Sequence, residues 1–184
     1  MNGKESTVPG STTLIKDTIS TFHDWWTAKF HYTNYFLATR KFHGGFLIEG
    51  VASNQDLFNN YISSVIMASA FQPIPESQTY FMPQFRAYNY AAAGLMAVWS
   101  MGKNLDLRGE VYHFGAYRRI VNDINNLSRF DDEYKSYFMA STAVVFHSPL
   151  GPISVSANYY DRKETPWSIL FNFGYIVFNP SVRN

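Results

Sequence analysis

Cysteine is absent from this chain, which removes disulfide and thiol chemistry and is compatible with a reducing cytoplasm and a cell envelope alike. Charge is sparse: 16% of the 184 residues are Asp, Glu, Lys or Arg, and the net charge of +1 argues against a nucleic-acid partner. No apolar run approaches the roughly 18 residues that a transmembrane helix needs. No Gly-x-Ser-x-Gly nucleophile elbow is present. The five histidines, at 23, 31, 43, 113 and 147, include no pair at metal-ligand spacing on one strand, so neither a metal nor a cofactor is expected. Residues 1–13 lack a basic segment leading into an apolar stretch, and so do not read as a signal peptide.

Aromatic side chains and strict alternation fill the space these absences leave. Phe, Tyr and Trp make up 18% of the chain, with hydrophobic residues at an ordinary 46%. Over 167–178 the residues Trp167, Ile169, Phe171, Phe173, Tyr175 and Val177 share one face of an extended chain, because side chains on a strand repeat every two residues. Over 152–161, Ile153, Val155, Ala157 and Tyr159 alternate with Ser154, Ser156 and Asn158. A wall with lipid on one side and water or polar protein on the other requires this pattern, which implies a membrane β-barrel.

Reading the alternation along the chain predicts an all-β, antiparallel up-and-down membrane β-barrel of about eight strands, over 24–36, 41–53, 60–71, 86–100, 104–117, 136–147, 152–161 and 167–178. Residues 1–23 read as a linker or fragment end, 24–178 as a partial outer-membrane barrel and 179–184 as a tail. The charges of 104–117, Asp106, Arg108 and Glu110, sit opposite its apolar residues and should face a lumen. Trp25, Trp26, Trp99 and Trp167 fall near strand ends, where indole rings favour a membrane interface. If 167–178 ends in the periplasm, 54–59, 100–103 and 148–151 become periplasmic turns, and 73–84, 118–135 and 161–166 become external. The acidic run Asp131, Asp132 and Glu133 then belongs to a solvated surface loop. Glycines 44, 50, 94 and 174 inside strands point to curvature of the wall.

Several motifs carry a resemblance. Ser148-Pro149-Leu150-Gly151-Pro152-Ile153, the closing strand with Phe171, Phe173, Tyr175 and Phe178, and the segment around Arg86 resemble the barrel of the bacterial surface antigen (BamA-like) outer-membrane superfamily. Ala70-Phe71-Gln72-Pro73-Ile74-Pro75-Glu76-Ser77, Phe85-Arg86-Ala87 and Ala92-Ala93-Gly94-Leu95 resemble, more narrowly, the barrel that follows a patatin-like phospholipase domain in Bacteroidetes proteins. The resemblance implies a sixteen-stranded barrel of which this chain is the C-terminal half, an open curved sheet. Its lumen-loop motif, [Val/Ile]-Arg-Gly-[Phe/Tyr], corresponds to Phe85, Arg86, Ala87 and Tyr88, and implies a lumenal Arg86 paired with Glu110 or Asp106.

The function so implied is an outer-membrane segment that anchors a larger protein, or forms its translocation or assembly pore. Catalysis is expected only in an absent upstream domain. The expected partners are outer-membrane lipid, upstream strands or a domain of the same protein, and the barrel assembly machinery. A self-closed eight-stranded barrel binding a hydrophobic ligand is one alternative, and would pair 24–36 with 167–178; part of a phospholipase whose catalytic domain is missing is the other. An isolated half barrel would leave two edges unpaired, so the chain reads as a fragment of a longer one.

Overall fold

The alternating segments fold as strands. In the computed structural model, the residues described are 2–6, 15–19, 24–123, 127–149, 151–162 and 165–174. Strands β1 (Asn2–Ser6) and β2 (Ile15–Ile19) pair antiparallel by themselves, in the segment expected to be a linker. The main element is a seven-stranded antiparallel sheet built from β3 (Thr27–Ala38), β4 (Phe42–Ser53), β7 (Asn89–Ser100), β8 (Leu105–Tyr117), β11 (Lys135–Ser148), β12 (Gly151–Tyr160) and β13 (Trp167–Phe173). Their spatial order is the sequence order, β3 at one edge and β13 at the other. Between β4 and β7 lie helix α1 (Tyr61–Met67), short strands β5 (Ser69–Ala70) and β6 (Arg86–Ala87), and two 3-10 turns at Pro75–Thr79 and Pro83–Phe85. Strands β9 (Arg119–Asn122) and β10 (Ser128–Asp131) pair between β8 and β11.

One expected strand is not there. Residues 60–71 were read as extended, whereas Tyr61–Met67 is helical. The Asn60 side chain caps it, accepting from the backbone N–H of Ile62 at 2.8 Å and Ser63 at 3.3 Å, the usual way a helix start satisfies its unpaired donors. Tyr61, Val65 and Ala68 pack with Leu57, Tyr88, Ile120 and Phe130, a spacing of four and three that belongs to a helix. The expected strand 86–100 divides at Tyr88: β6 pairs with β5, and only Asn89–Ser100 joins the main sheet. Strand β13 ends at Phe173, and Tyr175 and Phe178 lie outside the described residues.

Losing that strand reassigns the ends of the sheet. Strand β4 pairs directly with β7, so 54–88 is a single connection that leaves and re-enters at one end. Residues 54–59, expected as a turn at the opposite end, therefore lie at the same end as β9 and β10. Asn60 bridges Leu127, and Ser128 N–H donates to the Asn59 carbonyl at 3.3 Å. The short turns 39–41 and 101–104, and the link between Ser148 and Gly151, occupy the other end. Among the described residues β3 pairs only with β4 and β13 only with β12, so the 24–36 to 167–178 pairing of a self-closed ring is not made.

Register separates two unlike faces. Phe42, Trp99, Leu107, Val144, Val155 and Phe171 stand in one rung across six strands. On the reverse side, Tyr35, Gly45, Met96, Glu110, Ser141, Asn158 and Ser168 form a rung across all seven. The connection 54–88 covers this second face, and the core lies between them: Phe71, Ile74, Met82 and Phe85 from the connection meet Leu47, Tyr90, Tyr112, Phe114, Met139 and Tyr160 from the sheet.

Candidate functional site

The bare face consists of large apolar side chains left in the open. Ile169 is 79% exposed and Leu95 60%, and Phe30, Phe36, Ile48, Val111, Phe138, Val144, Phe146, Val155 and Phe171 are exposed beside them. Among them, Phe46, Ile48, Leu95, Val111 and Phe138 line a shallow apolar depression of about 380 Å³. In a soluble monomer the largest contiguous apolar patch is typically a few hundred Å². Here apolar residues face outward on every strand of the main sheet. Trp25, Trp26, Trp99 and Trp167 are exposed and stand at or just before strand ends. The closing-strand residues Phe171 and Phe173 are exposed as well.

The covered face combines an aromatic stack with a polar belt. Phe71, with no exposed surface, lies parallel to Phe114 at 5.7 Å and edge-on to Tyr90 and Tyr112. Phe85 meets Phe114 and Tyr137, and Tyr80 meets Tyr160. Gly94 serves this stack by close approach: an added Cβ would sit 2.0 Å from the Tyr112 ring and 2.8 Å from the Val111 carbonyl. Glu76, on the first 3-10 turn, accepts from Ser156 at 3.3 Å and Asn172 at 3.2 Å, tying the connection to β12 and β13.

No protein-family model, curated protein or solved structure matches the chain. Function must therefore be argued from these two faces.

Arg86 does not make the expected ion pair. Its Nη1 donates to the carbonyls of Ile66 at 3.1 Å, Ala68 at 3.2 Å and Val65 at 3.5 Å, closing the C-terminal end of α1. Helix ends leave carbonyls without partners, and a cation there also opposes the helix dipole. Its guanidinium stacks over Phe81 at 5.5 Å. Phe85, Ala87 and Tyr88 are buried, so this motif anchors the connection to the sheet rather than reaching across a lumen. Glu110 instead accepts from the Tyr112 hydroxyl at 3.0 Å, and Asp106 accepts from Ser100 and meets His147, both at 2.8 Å. Arg108 and Glu110 line a cleft of about 190 Å³ with Ile74, Glu76 and Ser141.

A polar cluster on β3 and β4 lies outside the site residues expected from the sequence. Glu49 is buried on β4 and meets Lys29 Nζ at 2.9 Å, His31 Nδ1 at 2.7 Å and the Tyr90 hydroxyl at 2.5 Å. The His31 Nε2 lies 3.2 Å from the Thr33 hydroxyl. Register alone opposes His31 to Glu49, and alternation alone puts Lys29, His31 and Thr33 on one side of β3.

At the end carrying the long connections, Arg119 donates to Asp131 at 2.6 Å and Arg118 lies over the Phe130 ring at 4.3 Å. The Arg119 hydrogen bond holds the Asp131 carboxyl below the ordinary carboxylate range. Among the described residues no three His, Asp or Glu converge to hold a metal ion. No helix there is long and apolar enough to cross a membrane.

Proposed function

We propose that the seven-stranded sheet is a stretch of membrane-spanning β-barrel wall that anchors a larger protein in a bacterial outer membrane. The carrying observation is the continuous bare face of exposed Phe, Ile, Leu, Val and Trp backed by charged and hydroxyl groups. In water such a face is a liability, and against acyl chains it is the favourable arrangement. The two edges, which expose rows of backbone N–H and C=O groups, would be closed by further strands of the same protein, in keeping with the resemblance to the bacterial surface antigen superfamily. Outer-membrane lipid and the barrel assembly machinery are the partners this reading implies. Because 54–88 packs its aromatics over the covered face, an anchoring wall with an occupied interior is favoured over an open pore.

The chain has no cysteine, so single-cysteine variants are clean probes. Spin labels at 142–146 of β11, in the full chain refolded into phosphatidylcholine vesicles, should be oxygen-accessible at 142, 144 and 146 and not at 143 and 145. Labelling of 142, 144 and 146 by a membrane-impermeant maleimide as complete as at Gly102, in an exposed turn, would refute the reading.

A further inference from the structure

Glu49, His31 and Thr33 form a relay with chemical direction. A carboxylate at Nδ1 holds the proton of a neutral imidazole on that nitrogen, which leaves the Nε2 lone pair facing the Thr33 hydroxyl. Hydroxyl, imidazole and carboxylate in this order are the working parts of nucleophilic acyl transfer, and such constellations are recognised by geometry rather than by sequence position. The 3.2 Å contact lies at the long end of the range for an activated nucleophile. Glu49 is buried and gripped from its other side by Lys29 and Tyr90, so the orienting group is fixed. His31 and Thr33 are exposed, so a substrate can reach them.

A cleft lies next along β3, although Thr33 and His31 are not among its lining residues. Two residues beyond Thr33 on the same side of β3, Tyr35 helps line a cleft of about 360 Å³ with Met96, Val98, Arg108 and Glu110. The apolar members suit a short acyl or alkyl group, and Tyr35, His43 and Arg108 are hydrogen-bond donors beside it.

The geometry points to Thr33 as the nucleophile of an esterase site, with His31 as general base and Glu49 as its orienting carboxylate, acting on short carboxylic esters. Thr33 Oγ attacks the ester carbonyl carbon while its proton passes to His31 Nε2. Collapse of the tetrahedral species breaks the bond to the alcohol oxygen, which takes the proton from Nε2 and leaves acyl-Thr33. Water then attacks the acyl carbon and gives a proton to Nε2, and the free acid departs as that proton returns to Thr33. This activity is separate from the barrel-wall reading and does not depend on it.

The test uses the full chain folded in detergent micelles, a fluorophosphonate as covalent probe and p-nitrophenyl butyrate as substrate. The expected results are a phosphonyl adduct on Thr33 located by peptide mass, and hydrolysis that falls about 100-fold or more in Thr33→Ala and His31→Gln. Thr33→Ser should keep both adduct and turnover. Thr33 and His31 are exposed on an edge strand, and the far-ultraviolet circular dichroism of each variant checks that the sheet is intact. Folded protein with no adduct on Thr33, or Thr33→Ala hydrolysing as fast as the parent, would overturn the assignment and leave the three groups as a structural polar cluster.

Discussion

Leu95→Arg separates a lipid-facing wall from a sheet in water more sharply than any other single change. Leu95 lies near the centre of β7, between Phe46 and Val111 on the bare face. A strand of 12 residues runs about 40 Å, or about 30 Å along the bilayer normal at a tilt of about 40°, which puts Leu95 close to the midplane. An arginine there costs about 2–4 kcal/mol in lipid, a loss of about 30- to 700-fold in the folding equilibrium. With Leu95 already 60% exposed, the same change in water should stay within about 0.5 kcal/mol. Urea unfolding in phospholipid vesicles, followed by tryptophan fluorescence, measures the difference. Trp99→Arg near the strand end should cost only about 0–1 kcal/mol, as expected of an interfacial site. Equal costs at the two positions, or no cost at Leu95, would refute the reasoning.

Phe71→Ala empties the centre of the aromatic stack and should cost about 3–5 kcal/mol; protease cleavage within 54–88 should appear well before the sheet unfolds. Arg86→Ala and Glu110→Gln should add independently, to within about 0.5 kcal/mol in a double-mutant cycle, since these side chains meet different partners; a larger coupling would restore the ion pair expected from sequence. Asp131 has its folded value below its unfolded one because of Arg119, so its contribution is complete above the unfolded value of about pH 3.9 and fades as pH falls through the lower folded value. The protection factors of the β9 and β10 amides should fall only in that acid range, and Asp131→Asn should remove that fall.

How much of this was legible depended on how far each feature reaches along the chain. Two-residue alternation marked 41–53, 104–117, 136–147 and 152–161, and strands β4, β8, β11 and β12 follow those spans to within a residue or so at each end. Residues 60–71 carry no clean two-residue alternation, and the helical cue, Asn60 before Tyr61, Val65 and Ala68, is local and brief. Arg86 differs for a related reason: its acidic partner on β8 is what the family resemblance implies, whereas the carbonyls it meets exist only because α1 forms. The Glu49, His31 and Thr33 relay was invisible for another reason. It rests on the register of β3 against β4, which the 39–41 turn and an irregularity between Tyr35 and Leu37 set together.

The placement of 54–88 between two hydrogen-bonded neighbours also bears on how the sheet comes together. Every other adjacent pair is joined by a shorter connection, whereas β4 and β7 must find each other across a loop roughly ten times the length of 39–41, an added closure cost of about 2 kcal/mol. Strands β7 through β13 are joined by shorter connections and can pair locally, whereas the β3–β4 hairpin reaches β7 only across 54–88, whose Phe71 and Phe85 packed on Phe114 shorten the span to be closed.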